Sequence, residues 1–237
     1  MLTQGDFVSQ KQFDDAVSFG GWAIDIHPAD GVFSEKPGCN QWHSKGVYQI
    51  PYRCLFSKNI DNLFLAGRII SASHLAFGST RVMMTCASSA QAVGMAAAIG
   101  IKNDWKPADI LNHDRVKTLQ QMLLKEGQFI PGLPLKIESD YELSASSSLA
   151  LNLLPFDGPW QPLTFSTAQL LPLPMGPTPT FLIEVKAEKK TTLHVQLRNS
   201  LKYANYTPEQ QLGALQFNLE KGTHKLSVDF AATLDEA

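Results

Sequence analysis

The sequence is poor in the residues that announce the commonest small-protein chemistries. Its 237 residues include three cysteines, Cys39, Cys54 and Cys86, odd in number, widely spaced and without a C-x-x-C pair. That pattern suggests neither a zinc site nor a disulfide framework, and it leaves the compartment open. The histidines are dispersed and no pair has metal-ligand spacing, so no metal site is expected. Charge is sparse and balanced: 18% of residues are charged, the net charge is -2, and no Lys/Arg block stands out. A nucleic-acid surface is therefore not the main business of the chain. The stretch Met1 to Asp6 has neither a basic n-region nor an apolar h-region, so no signal peptide is visible. The most apolar run, 82–101, is interrupted by Ser88, Ser89 and Gln91, and reads as a buried helix instead of a membrane span. No G-x-S-x-G elbow surrounds Ser71, Ser73, Ser79 or Ser88, and no acid/base cluster of the kind a polysaccharide lyase needs is organised anywhere.

What is present is enough apolar material for a sizeable core. Hydrophobic residues make up 44% of a length that allows one large or two ordinary domains. Residues 1–130 mix helix and strand patterns. Val17 to Ile26 reads as a strand around Gly20-Gly21, and His27-Pro28-Ala29-Asp30-Gly31 as a loop. Val47 to Leu55 is a second strand, with Pro51 placing it at an edge or a bend. Asn62 to Ala66 reads as a short buried strand stopping at Gly67, and Thr80 to Gly100 as a helix of small residues. Asp114 to Glu126 is an amphipathic helix with Val116, Leu119, Met122 and Leu123 on one face and Gly127 placed to end it.

Phe129-Ile130-Pro131-Gly132-Leu133-Pro134 marks a boundary, and the period then changes to two. Phe181, Ile183 and Val185 form one alternating row, and Leu193, Val195 and Leu197 a second. Leu215, Phe217 and Leu219 form a third, and Leu226, Val228 and Phe230 a fourth, with Glu220-Lys221-Gly222-Thr223 reading as a hairpin turn between the last two. Residues 131–237 are thus expected to form an antiparallel β-sandwich, with 172–179 as a proline-rich connector. About five or six strands are convincing, fewer than the roughly seven such a sandwich uses. Either further strands lie in 133–175 or the domain is cut short.

The unit that carries chemistry is the strand, Gly67 and the following small-residue helix. Glycine admits positive φ and puts no side chain between backbone and ligand. A helix N-terminus offers free N–H groups and a positive dipole end, which suits a phosphate or an electron-rich carbonyl. Arg68 and Arg81 flank the loop and could face an anion. Taken by itself, this unit fits a tightly packed core helix better than a ligand site, because small-residue helices are often core helices and a strand ending in Gly is common.

Four blocks, in order, resemble a known family. They are Tyr48-Gln49-Ile50-Pro51-Tyr52-Arg53-Cys54-Leu55, Ile60-Asp61-Asn62-Leu63-Phe64-Leu65-Ala66-Gly67-Arg68 running on to His74, Gly78-Ser79-Thr80-Arg81-Val82-Met83, and Gln91-Ala92-Val93-Gly94-Met95-Ala96-Ala97-Ala98. Together with Phe13 to His27 upstream, they resemble the FAD-dependent oxidoreductases of bacteria, some of which carry a xanthan lyase label. The resemblance covers about residues 1–130. It implies that Ala66, Gly67 and Arg68 pass near the pyrophosphate and ribityl chain of FAD. It implies that the backbone around Met84, Thr85 and Cys86 faces the pyrimidine edge of the flavin, and that Arg81 sits beside a substrate carboxylate. Hydride transfer to the flavin is the implied chemistry. The chain departs from the family pattern in one large respect: no G-x-G-x-x-G occurs in it, and no residue is identifiable as the acid that holds the adenosine ribose. The expectation is therefore an α+β protein. An incomplete flavoprotein-like α/β domain over 1–130 is the C-terminal half of an FAD and substrate domain, and the sandwich follows it. As a C-terminal portion of a longer oxidoreductase, it should not hold FAD tightly alone.

His27 and His74 lie in matched blocks, where either could exchange a proton near the flavin or simply be a structural histidine. Asp25 and His27, two apart, would share one face of a strand, as a supporting couple or an ordinary surface pair. Trp160 could stack on a sugar or pack at a domain edge. The expected partner is a small or carbohydrate-derived substrate, with a carbohydrate-binding or interaction module as the alternative and a lyase-related protein as the last. Apolar surface left by a missing half would favour self-association.

Overall fold

The computed structural model describes residues 1–136, 144, 146, 158–200, 202 and 205–235. They divide into two compact units, one comprising Met1–Glu138 with Ala204–Thr207 and the other Ser139–Tyr203 with Pro208–Ala237. The fold is mixed α+β, with helices in the first unit and small antiparallel sheets in both.

In chain order the first unit contains α1 (Gln4–Val8), β1 (Ala16–Gly20), β2 (Ile24–Ile26), β3 (Asn40–Trp42), β4 (Tyr48–Pro51), α2 (His74–Thr80), α3 (Met83–Asn103) and α4 (His113–Lys125). A capping box starts α1: Asp6 N–H donates to Thr3 Oγ1 while Thr3 N–H donates to Asp6 Oδ2 at 3.0 Å. β1 pairs antiparallel with β4, and β2 with β3. β4 is buried at every position and stops at Pro51, which leads into a 3₁₀ turn, Tyr52–Cys54. The core gathers Val17, Tyr48, Ile50, Ala92, Ala96, Leu119 and Leu123, so α3 and α4 lie on the β1–β4 pair. α4 runs within one residue of the amphipathic helix expected from its period, with Val116, Leu119 and Leu123 buried.

The first unit departs from the expected strands in two places and shifts one expected helix. The strand expected over Val17 to Ile26 is two strands in two sheets. Tyr48 lies opposite Gly20 and its ring covers the place a Cβ would take there, which suits glycine at the end of β1. Asn62 to Ala66 is not a buried strand. It forms one isolated antiparallel bridge, Phe64 to Phe56, and Leu63 is 41% exposed. Its only ladder bonds run to Leu55 and Ser57, so no second strand flanks it among the described residues. The helix expected over Thr80 to Gly100 is α3, set three residues later at Met83–Asn103, and Thr80 is instead the last residue of α2. Ser73 caps α2 at its start, and Val82, extended at ψ 147, breaks the helix before Met83.

The second unit contains β5 (Gly176–Pro177), β6 (Phe181–Ala187), β7 (Thr191–Asn199), β8 (Gln210–Leu219), β9 (Gly222–Val228) and β10 (Thr233–Leu234). β6 pairs with β9, β7 with β8 and β5 with β10, all antiparallel. The turn after Leu219 is therefore not a hairpin between two paired strands. It carries the chain from the β7–β8 pair to the β6–β9 pair at Gly222, whose φ is +139, and Lys190 to Glu220 at 2.7 Å ties the two crossings together. Phe230 lies over Gly213 of β8, where a Cβ would be 2.7 Å from its ring. The expectation of further strands in 133–175 falls partly on residues outside the described set, and none of the described residues of that stretch is in a strand.

Candidate functional site

The site is built on the junction of α2 with β2. α2 approaches β2 so closely that a Cβ on Gly78 would lie 2.9 Å from the Asp25 carbonyl oxygen and 2.9 Å from Ile26 Cδ1. Beside it, Ser79 Oγ donates to the Trp22 carbonyl at 2.7 Å and meets Tyr48 Oη at 2.7 Å. Burial pushes the Tyr48 hydroxyl up, with the Ser79 bond partly opposing it, so this phenol stays protonated. These contacts set where the last residue of the turn, Arg81, emerges.

Arg81 donates from Nη2 to the Asp25 carbonyl oxygen at 3.1 Å, and the same nitrogen lies 3.7 Å from Asp25 Oδ2. His27 Nε2 lies 3.9 Å from that same oxygen. The other ring nitrogen, Nδ1, is 2.8 Å from the Gly38 carbonyl, which can only accept, so the Nδ1 proton points there. Arg81 and His27, 54 positions apart in the sequence, thus meet on one carboxylate. His74 does not join them. It is the exposed first residue of α2, with Arg81 just past the other end, a helical rise of roughly 10 Å away.

Arg81 and Val82 lead into α3. Val82 provides no side-chain cap, so the N–H groups of the first turn have no capping side chain among the described residues. Of the three residues read as facing a flavin, Met84 and Thr85 lie in this turn, Met84 80% exposed and Thr85 buried. The Cys86 N–H is already committed to Val82 O at 3.0 Å, and its thiol donates to Thr80 O. The rear of α3 is fixed to the sheet by Ser18, whose hydroxyl bonds Ser88 and Ser89. The front leaves Met84, Ala87, Gln91, Gly94, Ala98 and Ile101 exposed along one helical stripe. The 3₁₀ turn Gly67–Ile69 packs on α3. Gly67 has φ +67 with nothing within 4 Å of a built Cβ, Ala66 before it is extended, and Arg68 is exposed.

Asp25, expected as a supporting or surface partner of His27, is also the partner of Arg81, which the sequence does not reveal. Its signal was the spacing to His27; the link to Arg81 spans 56 positions and leaves no local trace. No cluster of three or more His, Cys, Asp or Glu that could hold a metal occurs among the described residues. An open crevice of about 320 Å³ between α4 and the loop at Gln12–Asp14 lies elsewhere in the unit. Its amides are already committed to the protein: Gln49 to Gln12 and Pro131, and Gln120 to the carbonyls of Asp14 and Ala16.

A family model described as FAD dependent oxidoreductase matches residues 1–123, a span that includes Asp25, His27, Gly67, Arg68, Arg81 and the whole of α3. No curated protein and no solved structure matches the chain.

Proposed function

The chain belongs to the FAD dependent oxidoreductase family through residues 1–123, and from that premise we propose that it supplies the flavin-proximal half of an FAD site. The observation that carries this reading is the first turn of α3, which has no side-chain cap and directly follows Arg81, on a helix against which the Gly67–Ile69 turn also packs. Free N–H groups and a positive helix end suit the electron-rich pyrimidine edge of a flavin. The residues fit that part of the cofactor: Met84 and Thr85 would present backbone donors, and the open space at Gly67 lets the Ala66–Arg68 backbone lie against a ligand. Cys86 would contribute through its position and not through its N–H, which the helix uses. The phosphate end is not matched in the same way, because the sequence holds no G-x-G-x-x-G.

We therefore assign the pyrophosphate and adenosine contacts to a dinucleotide-binding unit outside these residues, and propose that this chain alone neither retains FAD nor turns over. When bound, FAD supplies a hydride acceptor. The chain's own residues orient the substrate and hold a proton: Arg81 holds the anionic group of a small or carbohydrate-derived substrate, and His27, which meets Arg81 on Asp25, is the candidate to hold a proton beside it, while His74 at the far end of α2 is not placed for that role. The exposed stripe on α3, with Met84 and Ile101 at its ends, favours self-association of the isolated chain. The test is flavin absorbance of the purified chain after saturation with FAD and desalting. The expected result is no retained flavin, with retention on mixing with a Gly-rich βαβ unit from the same family; a stoichiometric yellow cofactor in the chain alone overturns the half-site reading.

A second reading concerns residues 131–237, proposed as a β-sandwich that binds carbohydrate. It rests on Trp160, 55% exposed, as a stacking platform. Binding to a glycan panel that disappears in Trp160→Ala supports it, and the absence of binding to any polysaccharide removes it.

A further inference from the structure

The Arg81 guanidinium is anchored at one end and open at the other. Nη2 reaches the Asp25 carbonyl and lies beside its carboxylate, and 31% of the side-chain surface stays in solvent. The anchor is itself clamped from two sides. Asp25 is paired with Gln41 of β3, and α2 closes on it at Gly78. One carboxylate oxygen, Oδ1, is buried, which leaves Oδ2 as the oxygen that meets both Arg81 and His27.

We infer that Asp25 is a positioning residue, which holds the Arg81 guanidinium beside the first turn of α3 with its remaining N–H groups free to take a carboxylate. The inference rests on the reading that Arg81 meets an anionic substrate, and it adds the residue that aims it. A guanidinium recognises a carboxylate through a planar fork, so its orientation matters as much as its charge. An arginine with this side chain held at one nitrogen loses little further freedom on binding, whereas a loose one must be ordered by the ligand. Asp25 touches neither substrate nor cofactor in this role.

The test uses the whole chain without flavin, labelled with nitrogen-15 and carbon-13 arginine, and follows rotation of each guanidinium about its Nε–Cζ bond by NMR. The five arginines are Arg53, Arg68, Arg81, Arg115 and Arg198, and Arg81→Lys assigns the signal. Arg53 is an internal reference, because Asp15 holds it through both Nε and Nη2. In Asp25→Asn, Arg81 is expected to rotate on the order of fivefold faster, the factor a partly screened ion pair supports, with Arg53 unchanged. Asp25→Glu, which keeps the charge, is expected to slow Arg81 again. An Arg81 signal in Asp25→Asn that matches the parent overturns the inference. So does simultaneous release of Arg81 and Arg53, which would make the carboxylate a support of the fold and not of one side chain. Failure of the chain to complete a flavin site would leave these spectra untouched, so the two readings fail separately.

Discussion

Gly78→Ala and Gly94→Ala make a pair that tests how closely α2 is pressed on β2. Both put a methyl into a helix, and away from any obstacle that change favours the helix by up to about 1 kcal/mol. The surroundings differ. At Gly94 nothing lies within 4 Å of the new carbon. At Gly78 the carbon would lie 2.9 Å from the Asp25 carbonyl oxygen and 2.9 Å from Ile26 Cδ1. The isoleucine end can turn away, but the carbonyl belongs to a paired strand and cannot, so α2 must lift from β2. Overpacking of this kind costs about 1–3 kcal/mol. Because the helix preference nearly cancels between the two variants, their difference reports the steric term alone. Gly94→Ala should exceed Gly78→Ala in stability by about 1–3 kcal/mol, with Gly94→Ala at or above the parent. Urea unfolding followed by fluorescence of Trp22, two residues before β2, gives both values. Equal stabilities, or a Gly78→Ala more stable than the parent, would refute the close approach, and with it the placement of Arg81 on Asp25.

Further outcomes follow from the same junction and its neighbours. Ser79→Ala leaves the buried Tyr48 hydroxyl without its serine and should cost about 1–3 kcal/mol, while adding Tyr48→Phe should cost less than the sum of the two single changes, as a double-mutant cycle in urea reads directly. Burial raises the folded-state pKa of Tyr48 and of Tyr52 above the unfolded value. Their contribution to stability is therefore complete below about pH 10 and declines as pH rises above it, so Tyr48→Phe should flatten the alkaline loss of stability seen in unfolding midpoints. Asp15 is buried and accepts from the Arg53 N–H, Nε and Nη2, whereas the Arg53 side chain is half exposed. Arg53→Ala should accordingly cost about 1–3 kcal/mol, discounted for solvent at the arginine, and Arg53→Lys should recover only part of it; full recovery would deny the bidentate geometry.

The readable parts of this chain are those whose cause is local. The period of Val116, Leu119 and Leu123 specifies α4, because a helix closes its bonds within four residues. The alternating rows at 181–187 and 191–199 specify strands for the same reason. Alternation says which side chains share a face, but not which strand lies across. The turn after Leu219 therefore reads as a hairpin, whereas β8 pairs with β7 and β9 with β6. The run Asn62 to Ala66 shows the same limit. Its apolar residues mark a segment that can be buried, and burial depends on a neighbour that the sequence of the segment does not encode. At the candidate site, the resemblance of the four blocks points to Arg81, Gly67 and the start of α3, and the spacing of Asp25 to His27 marks that pair, but the contact of Asp25 with Arg81 belongs to the fold.

By itself the sequence determined the mixed α+β class, the family of its first half, the positive-φ turn at Gly67 and the small-residue helix that follows. Each of these is written in residue type and short spacing, through backbone freedom at glycine and the periods of helix and strand. Tertiary structure alone decided that Tyr48 would cover Gly20 and that the expected strand would divide between the β1–β4 and β2–β3 pairs. It also decided that the helix would break at Val82, leaving an uncapped turn, and that Arg81 and His27 would share the Asp25 carboxylate. The reason is that each of these depends on atoms tens of residues apart meeting within a few ångströms, which is a property of packing and not of any stretch of chain.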